Sequence, residues 1–307
     1  MRISTSYMYQ HQIDSMSNAV GRYSDIMGRL SAGQTVLKPS DDPSGASAAL
    51  NYENALSKLD QYSTARRYAE DALGQENNTL DSITDILTSG LTEKIVAGGN
   101  GAYSNEDRQA LATELKGIRA NLMDLANTRD SDGNYIFAGY KTGQAPFKED
   151  GTYIGGNKAM SQFVADGTEM QVGDTGDQVF MSGTENDLFK AIDSAINQLN
   201  QDIETDDQRK SLQDTLDSVN KTVKKNIDNL GKIQARLGTN LQQIDSLGSI
   251  SDEQEITEQS RLEESLGSDW NTMITLLSQS KMNELALNSS MMVFQSMQQI
   301  SIFNVLG

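Results

Sequence analysis

The sequence predicts a mainly α protein: an elongated antiparallel helical bundle or coiled coil, built from its N- and C-terminal segments, with a small β-rich inserted domain. Three observations predict it. Apolar residues recur in alternating steps of 3 and 4 over most of the first 125 and last 120 residues, the spacing that lines one side of a helix. Between Asp130 and Gly183 that rhythm stops, and ten glycines appear among short β-prone runs. Finally, the 307 residues are only 36% hydrophobic and 6% aromatic, which suits helices that bury a narrow seam and leave most of their surface in water.

The first helix is expected from about Ser4 to Leu30, with Ile13, Met16, Val20, Tyr23, Met27 and Leu30 as its stripe and Gly33 as the natural C-terminal cap. After a connector, Asp42 and Pro43 stand where a cap and a first helical residue belong. The second seam reads Tyr52, Ala55, Leu59, Tyr62, Arg66, Ala69, Leu73, Glu76, Leu80, Ile83 and Leu87. That helix is about 50 residues long, roughly 75 Å at 1.5 Å per residue, and ends at Gly98-Gly99-Asn100-Gly101. Ser104 and Asp107 form a capping pair for a third helix along Leu111, Leu115, Ile118, Leu122 and Leu125.

In the insert, Tyr135-Ile136-Phe137, Gln162-Phe163-Val164 and Gln178-Val179-Phe180 are read as strands. Helix resumes at Phe189, Ile192, Ile196 and Leu199, then runs from Leu212 to Leu247 with Asn226 and Asn240 in the seam, where polar residues fix register. A polar stretch from Gly248 to Glu255 is read as a break, with the last helix starting near Ile256. That helix continues Leu266, Trp270, Met273, Leu277, Ser280, Glu284, Leu287, Met291 and Phe294, and carries no charge from Leu285 to Gly307. Asn288, Ser289, Ser290 and Gln295 would leave polar groups unpaired in hydrocarbon, so the tail is expected to bury against protein rather than cross a membrane.

Composition narrows the function. A net charge of −18, from 43 acidic and 25 basic residues, repels phosphate backbones and argues against nucleic acid as a partner. The absence of cysteine excludes disulfides and thiol chemistry. The N-terminus lacks the continuous apolar run of a secretory signal, so the chain is expected either to stay in the cytosol or to leave by a route that reads other signals. His11, the single histidine, lies off the apolar stripe and supplies no zinc triad. Trp270 falls on the seam and reads as core. Asp130-Ser131-Asp132-Gly133-Asn134 fails the spacing of a calcium loop and reads as a turn, and the carboxylates read as a solvated face. No phosphate loop, nucleophile elbow, metal set or cofactor site emerges, so no enzyme is expected. The methionines of the end helices, among them Met16, Met27, Met291 and Met297, read first as core filling. The sharper alternative is an adaptable surface for several inequivalent neighbours.

The opening Met1-Arg2-Ile3-Ser4-Thr5, the segment Leu30-Ser31-Ala32-Gly33 leading to Lys38-Pro39-Ser40-Asp41-Asp42-Pro43-Ser44-Gly45-Ala46, the Asp132-Gly133-Asn134-Tyr135-Ile136-Phe137-Ala138-Gly139 element and the Val305-Leu306 tail together resemble the bacterial flagellin superfamily. Within it, the short insert and the Met-Arg-Ile-Ser-Thr opening are similar to the hook–filament junction branch rather than to filament flagellins. The resemblance implies three parts. Residues 1–42 with 266–307 would be terminal helices of an inner tube, disordered in the monomer; 43–130 with 186–265 an α-helical rod; and 131–185 a β-rich outer domain. It implies export from the cytoplasm without a cleaved signal, through the flagellar export apparatus, and a place outside the cell at the hook–filament junction. The partners implied are the first junction protein, flagellin, copies of itself in a ring, and a cytoplasmic chaperone on the C-terminal helix. Ile13, Met16, Val20, Tyr23, Met27, Leu30, Leu277, Leu287, Met291, Phe294 and Met297 are the residues expected at the assembly and chaperone interface. A filament subunit and a cytosolic coiled-coil scaffold are the alternatives.

Overall fold

A computed structural model of the chain describes residues 2–303, with the side chains of 7–298. Met1 and the Val305-Leu306 tail lie outside the described residues. The elements are α1 (Arg2–Ala32), α2 (Pro43–Asp85), a π-helical stretch (Ile86–Leu91), α3 (Thr92–Gly98), α4 (Asn105–Ala126), β1 (Ser161–Ala165), β2 (Thr168–Gln171), α5 (Gly176–Val179), α6 (Leu188–Leu199), α7 (Asp206–Leu266) and α8 (Trp270–Phe303). They form two compact units, residues 1–59 with 252–307 and residues 60–251. The fold is mainly α, with one small antiparallel sheet among the described residues.

In the unit 60–251, the heptad seams are the core. Ala69, Leu73, Leu80, Ile83 and Leu87 of α2, and Leu212, Leu216, Val219, Val223, Leu230, Ile233 and Leu237 of α7, are buried together with Leu111, Leu115 and Leu122 of α4. Each such leucine, isoleucine or valine side chain taken from water contributes about 1.5–3 kcal/mol. Past Leu87 the seam continues through Leu91 and Ile95, two successive steps of four. The π turn at Ile86–Leu91 carries this shift, since its longer loop absorbs the extra residue that would rotate Leu91 out of the core. α4 begins with the expected reciprocal cap: the Ser104 hydroxyl accepts the Asp107 N–H (3.2 Å), and the Asp107 carboxylate accepts the Ser104 N–H (3.0 Å).

The insert holds less sheet than its composition suggested. Only Gln162-Phe163-Val164 lies in a strand; β1 pairs antiparallel with β2. Gln178 and Val179 belong to α5, with Phe180 as its cap, and Tyr135-Ile136-Phe137 sits in turns tied by the isolated bridges Arg129–Tyr135 and Ala138–Thr175. The cause is aromatic clustering. Phe147 and Phe180 pack edge to face at 5.3 Å, Phe137 meets Phe180 at 6.0 Å, and Phe189 of α6 closes the group, so these rings point to one centre instead of alternating across a pleat. Burial, and then the charge of Asp177, pushes the Tyr153 hydroxyl up to about 12, and it donates to the Gly156 carbonyl at 2.6 Å. The Asp130 turn is as expected, its carboxylate accepting the backbone N–H groups of Asp132 and Asn134.

Two expectations about the C-terminal region are corrected. The polar stretch Gly248 to Glu255 does not break the helix, because a lone glycine costs only about 1 kcal/mol there and α7 runs on to Leu266. The break comes at Gly267, whose φ of +60° ends α7 in a Schellman arrangement: Ser268 N–H donates to Glu263 O (2.8 Å) and Gly267 N–H to Glu264 O (3.1 Å). Trp270, read as core, is 79% exposed at the start of α8. The seam of α8 passes through its neighbours Met273 and Leu276 instead.

Candidate assembly interface

In the unit formed by residues 1–59 and 252–307, α1 and α8 pair antiparallel. The rings of Tyr9 and Phe294 meet at 5.8 Å; the Gln12 amide donates to Ser290 O (3.3 Å) and Ser290 Oγ (3.1 Å); Ser280 Oγ reaches Met27 Sδ at 3.5 Å. Among the described residues of α1, Tyr9, Gln12, Met16, Ala19, Tyr23, Ile26 and Leu30 are half-buried in 3/4 alternation, with Arg29 half-buried beside the last of them. Those of α8 that continue it are Met273, Asn283, Leu287, Ser290, Phe294 and Met297, with Leu276 and Ser280 buried. Gln12 and Ser290 put a polar pair in an otherwise apolar seam, a device that sets register because any slip leaves the amide unpaired.

The expected interface residues therefore divide into two rows. Met16, Tyr23, Leu30, Leu287, Phe294 and Met297 face the partner helix within the chain. Ile13, Val20, Met27, Leu277 and Met291 lie beside that seam and are exposed, from 37% at Met27 to 49% at Leu277. Trp270, Ile274, Met282, Leu285, Met292 and Val293 add to the exposed apolar surface of α8. Apolar residues thus stand on the exposed as well as the buried sides of α8. No helix among the described residues is long and apolar enough to cross a membrane.

The ends of these helices are braced by the motif between them. Gly33, at φ +70°, closes α1 in a second Schellman arrangement, Gln34 N–H donating to Arg29 O (3.2 Å). The N–H groups of Thr35 and Val36 both donate to the Leu266 carbonyl (3.0 and 3.1 Å), so the connector docks on the last residue of α7. A Cβ on Gly267 would collide with Thr35 Oγ1, and one on Gly45 would stand 2.7 Å from the Ser265 carbonyl; only glycine permits either approach. Asp41 accepts the N–H groups of Leu37 and Lys38, and Asp42 accepts that of Ser44 at the head of α2. The Lys38 to Ala46 motif is thus a capping and docking device at the α1–α2 and α7–α8 turns.

Sequence reasoning missed one cluster, in the unit 60–251. Glu76 sits in the α2 seam and is 2% exposed, contrary to the reading of all carboxylates as solvated. Its Oε1 accepts the Asp174 N–H at 3.2 Å, while both oxygens of the buried Asp174 are held by Arg236 Nη2 of α7. Burial first, and then the adjacent Asp174 carboxylate, push Glu76 up to about 9, so it carries a proton at neutral pH. Arg66, also in the seam and buried, donates to the Val164 carbonyl of β1 at 3.1 Å. The signal was present in the sequence: two charged residues at seam positions.

Comparison with known proteins places this architecture. The bacterial flagellin N-terminal helical region matches residues 3–142. The flagellar hook-associated protein 3 of Escherichia coli strain K12 is 34% identical over 99% of each chain, and that of Salmonella typhimurium strain LT2 is 35% identical over 99% of each. The chain belongs to the flagellar hook-associated protein 3 family. A solved structure of a putative flagellar hook-associated protein from Vibrio parahaemolyticus, 22% identical, shares the fold with a TM-score of 0.65 over 74% of this chain and all of that one. In this family member, the residues that carried the resemblance include the motif at the helix ends, where glycine and aspartate make the caps and the close approaches.

Proposed function

We propose that this chain is the structural adaptor that joins the flagellar hook, through the first junction protein, to the flagellin filament. Family membership over the full length supports the role, and the observation that carries the mechanism is the exposed apolar surface on both members of the α1–α8 pair. Two assemblies with different subunit packing need a piece with one face for each. Head-to-tail contacts between non-identical patches build open helical tubes rather than closed dimers.

In this reading, residues 1–42 with 266–307 form the inner tube, 43–130 with 186–265 the surrounding helical layer, and 131–185 the outer surface. Ile13, Val20, Met27, Leu277 and Met291 contact neighbouring subunits, in a ring of copies, and flagellin beyond it; the same face of the last helix holds an export chaperone before assembly. The protein leaves the cell through the flagellar export apparatus without a cleaved signal and works outside it, with no catalytic step. The test is a strain lacking the gene, viewed by electron microscopy with the medium probed for flagellin. Hooks without filaments and abundant free flagellin are expected. Intact flagella would overturn the role, and bare hooks with no flagellin outside would favour a filament subunit.

A further inference from the structure

The turn between α3 and α4 carries the one Asn-Gly pair of the sequence, Asn100-Gly101; every other asparagine is followed by a residue with a side chain. Both residues are exposed, and a Cβ built on Gly101 would meet nothing within 4 Å, so nothing screens the peptide nitrogen between them. The Gly101 N–H has no hydrogen-bond partner among the described residues. Its neighbours are all held. The Asn100 N–H donates to Ala97 O (3.0 Å), the Ala102 N–H to Asn100 Oδ1 (3.1 Å) and the Tyr103 N–H to the Asn100 main-chain carbonyl (3.2 Å). The Ala102 bond closes a ring of atoms that contains both the Asn100 carboxamide carbon and the Gly101 nitrogen, and so folds the side chain over the peptide that follows. Gly133 and Gly151, each after an aspartate, lack this freedom: their N–H groups donate to Asp130 O (3.1 Å) and Lys148 O (2.9 Å).

We propose that Asn100 is a self-modification site, at which the folded chain converts this asparagine through a cyclic imide into aspartate and isoaspartate, with water as the only co-reactant. The Gly101 nitrogen gives its proton to solvent, and its electron pair forms a bond to Asn100 Cγ. The carboxamide C–N bond breaks, and the amino group takes up a proton and leaves as ammonia. Water then opens the imide at either carbonyl. Attack at Cγ restores the main chain with an aspartate side chain, and attack at the main-chain carbonyl leaves the chain running through the former side chain as isoaspartate. Each oxygen that gains charge on this path already faces a donor. When the Gly101 N–H ionises, charge spreads onto the Asn100 carbonyl oxygen, which the Tyr103 N–H holds; when Cγ becomes tetrahedral, charge gathers on Oδ1, which the Ala102 N–H holds. The aspartate product keeps an acceptor for Ala102, whereas isoaspartate lengthens the main chain by one methylene and disrupts both bonds at the head of α4.

The test ages the full chain in mildly alkaline buffer beside a synthetic peptide of residues 96–106, with peptide mapping by mass spectrometry and isoaspartate detected by enzymatic methylation. Asn100 should change to acid before any other asparagine, yielding both aspartate and isoaspartate. The folded chain should react about tenfold faster than the peptide, a small share of what preorganised donors contribute where water is excluded. That comparison separates the geometry from the dipeptide alone, and it needs no variant. Gly101→Ala, which places its Cβ in open space and is checked by circular dichroism, should slow the reaction about tenfold or more by screening the nitrogen. A folded chain no faster than the peptide, another asparagine reacting first, aspartate without isoaspartate, or an unchanged rate in folded Gly101→Ala would each overturn the proposal.

Discussion

Replacing Glu76 by glutamine should remove a pH dependence from the stability of the unit 60–251. In the folded chain Glu76 holds its proton up to about pH 9, against an ordinary value of 4.5. Between those two values the unfolded chain has released a proton that the folded chain retains, so stability falls as pH rises. A group that titrates only in the unfolded chain costs on the order of 1 kcal/mol per pH unit, so moving from pH 6 to pH 8 costs the wild type roughly 3 kcal/mol. The carboxylates held low by local hydrogen bonds, Asp107 at the α4 cap and Asp150 beside Thr152, depart in the opposite direction and contribute nothing in that window.

Glutamine keeps the carbonyl that accepts the Asp174 N–H and places an amide donor where the acid proton sits, facing the carboxylate that Arg236 holds. Glu76→Gln should therefore match the wild type near pH 6 and exceed it at pH 8. Urea unfolding followed by far-ultraviolet circular dichroism measures this, with equal m values showing that the denatured states are comparable. Parallel pH profiles for the two proteins would refute the reasoning, since no buried proton would then separate them.

Four further outcomes follow from the geometry. Gly267→Ala forces a side chain into left-handed backbone and against Thr35, and should cost about 2–4 kcal/mol, read by urea unfolding of Trp270 fluorescence. Phe180→Ala opens a cavity among Phe137, Phe147 and Phe189 and should cost about 3–5 kcal/mol by thermal or urea unfolding. Gln12→Ala should lose about 1 kcal/mol, checked by hydrogen exchange along α1 and α8, because it strands the Ser290 hydroxyl at a half-buried seam position. Ile13→Asp and Leu277→Asp, both on exposed rows, should change stability by no more than about 0.5 kcal/mol, yet abolish filament attachment in a swimming assay; normal motility in both would refute the assembly face.

The difference between what was legible and what was not lies in how many faces each helix buries. Along α2 and α7 one side alone is apolar, so the 3/4 spacing named the buried residues almost one for one, from Ala69 to Leu87 and from Leu212 to Leu247. In the insert the spacing carried no information, because Phe137, Phe147, Phe180 and Phe189 meet across long stretches of chain and a ring pointing to a cluster has no period. Glu76 was placed correctly on its seam but its meaning depends on Asp174, 98 residues away, and only tertiary contact brings the two together.

In α1 the stripe at Ile13, Met16, Val20, Tyr23, Met27 and Leu30 mixes two adjacent rows, and the structure separates them: Met16, Tyr23 and Leu30 belong to a seam completed by Tyr9, Gln12, Ala19 and Ile26, Ile13 and Val20 stand outside it, and Met27 lies at its edge, its sulfur on Ser280 and the rest of the side chain exposed. A single intrachain seam needs only one row. Selection for stability of one folded chain supplies no reason to keep a second apolar row in water, where it favours association. Under the proposed assembly role, that exposed row is the one offered to a neighbouring subunit. Trp270 makes the same point at the head of α8, a large ring read as core and left 79% exposed beside Ile274 and Leu277.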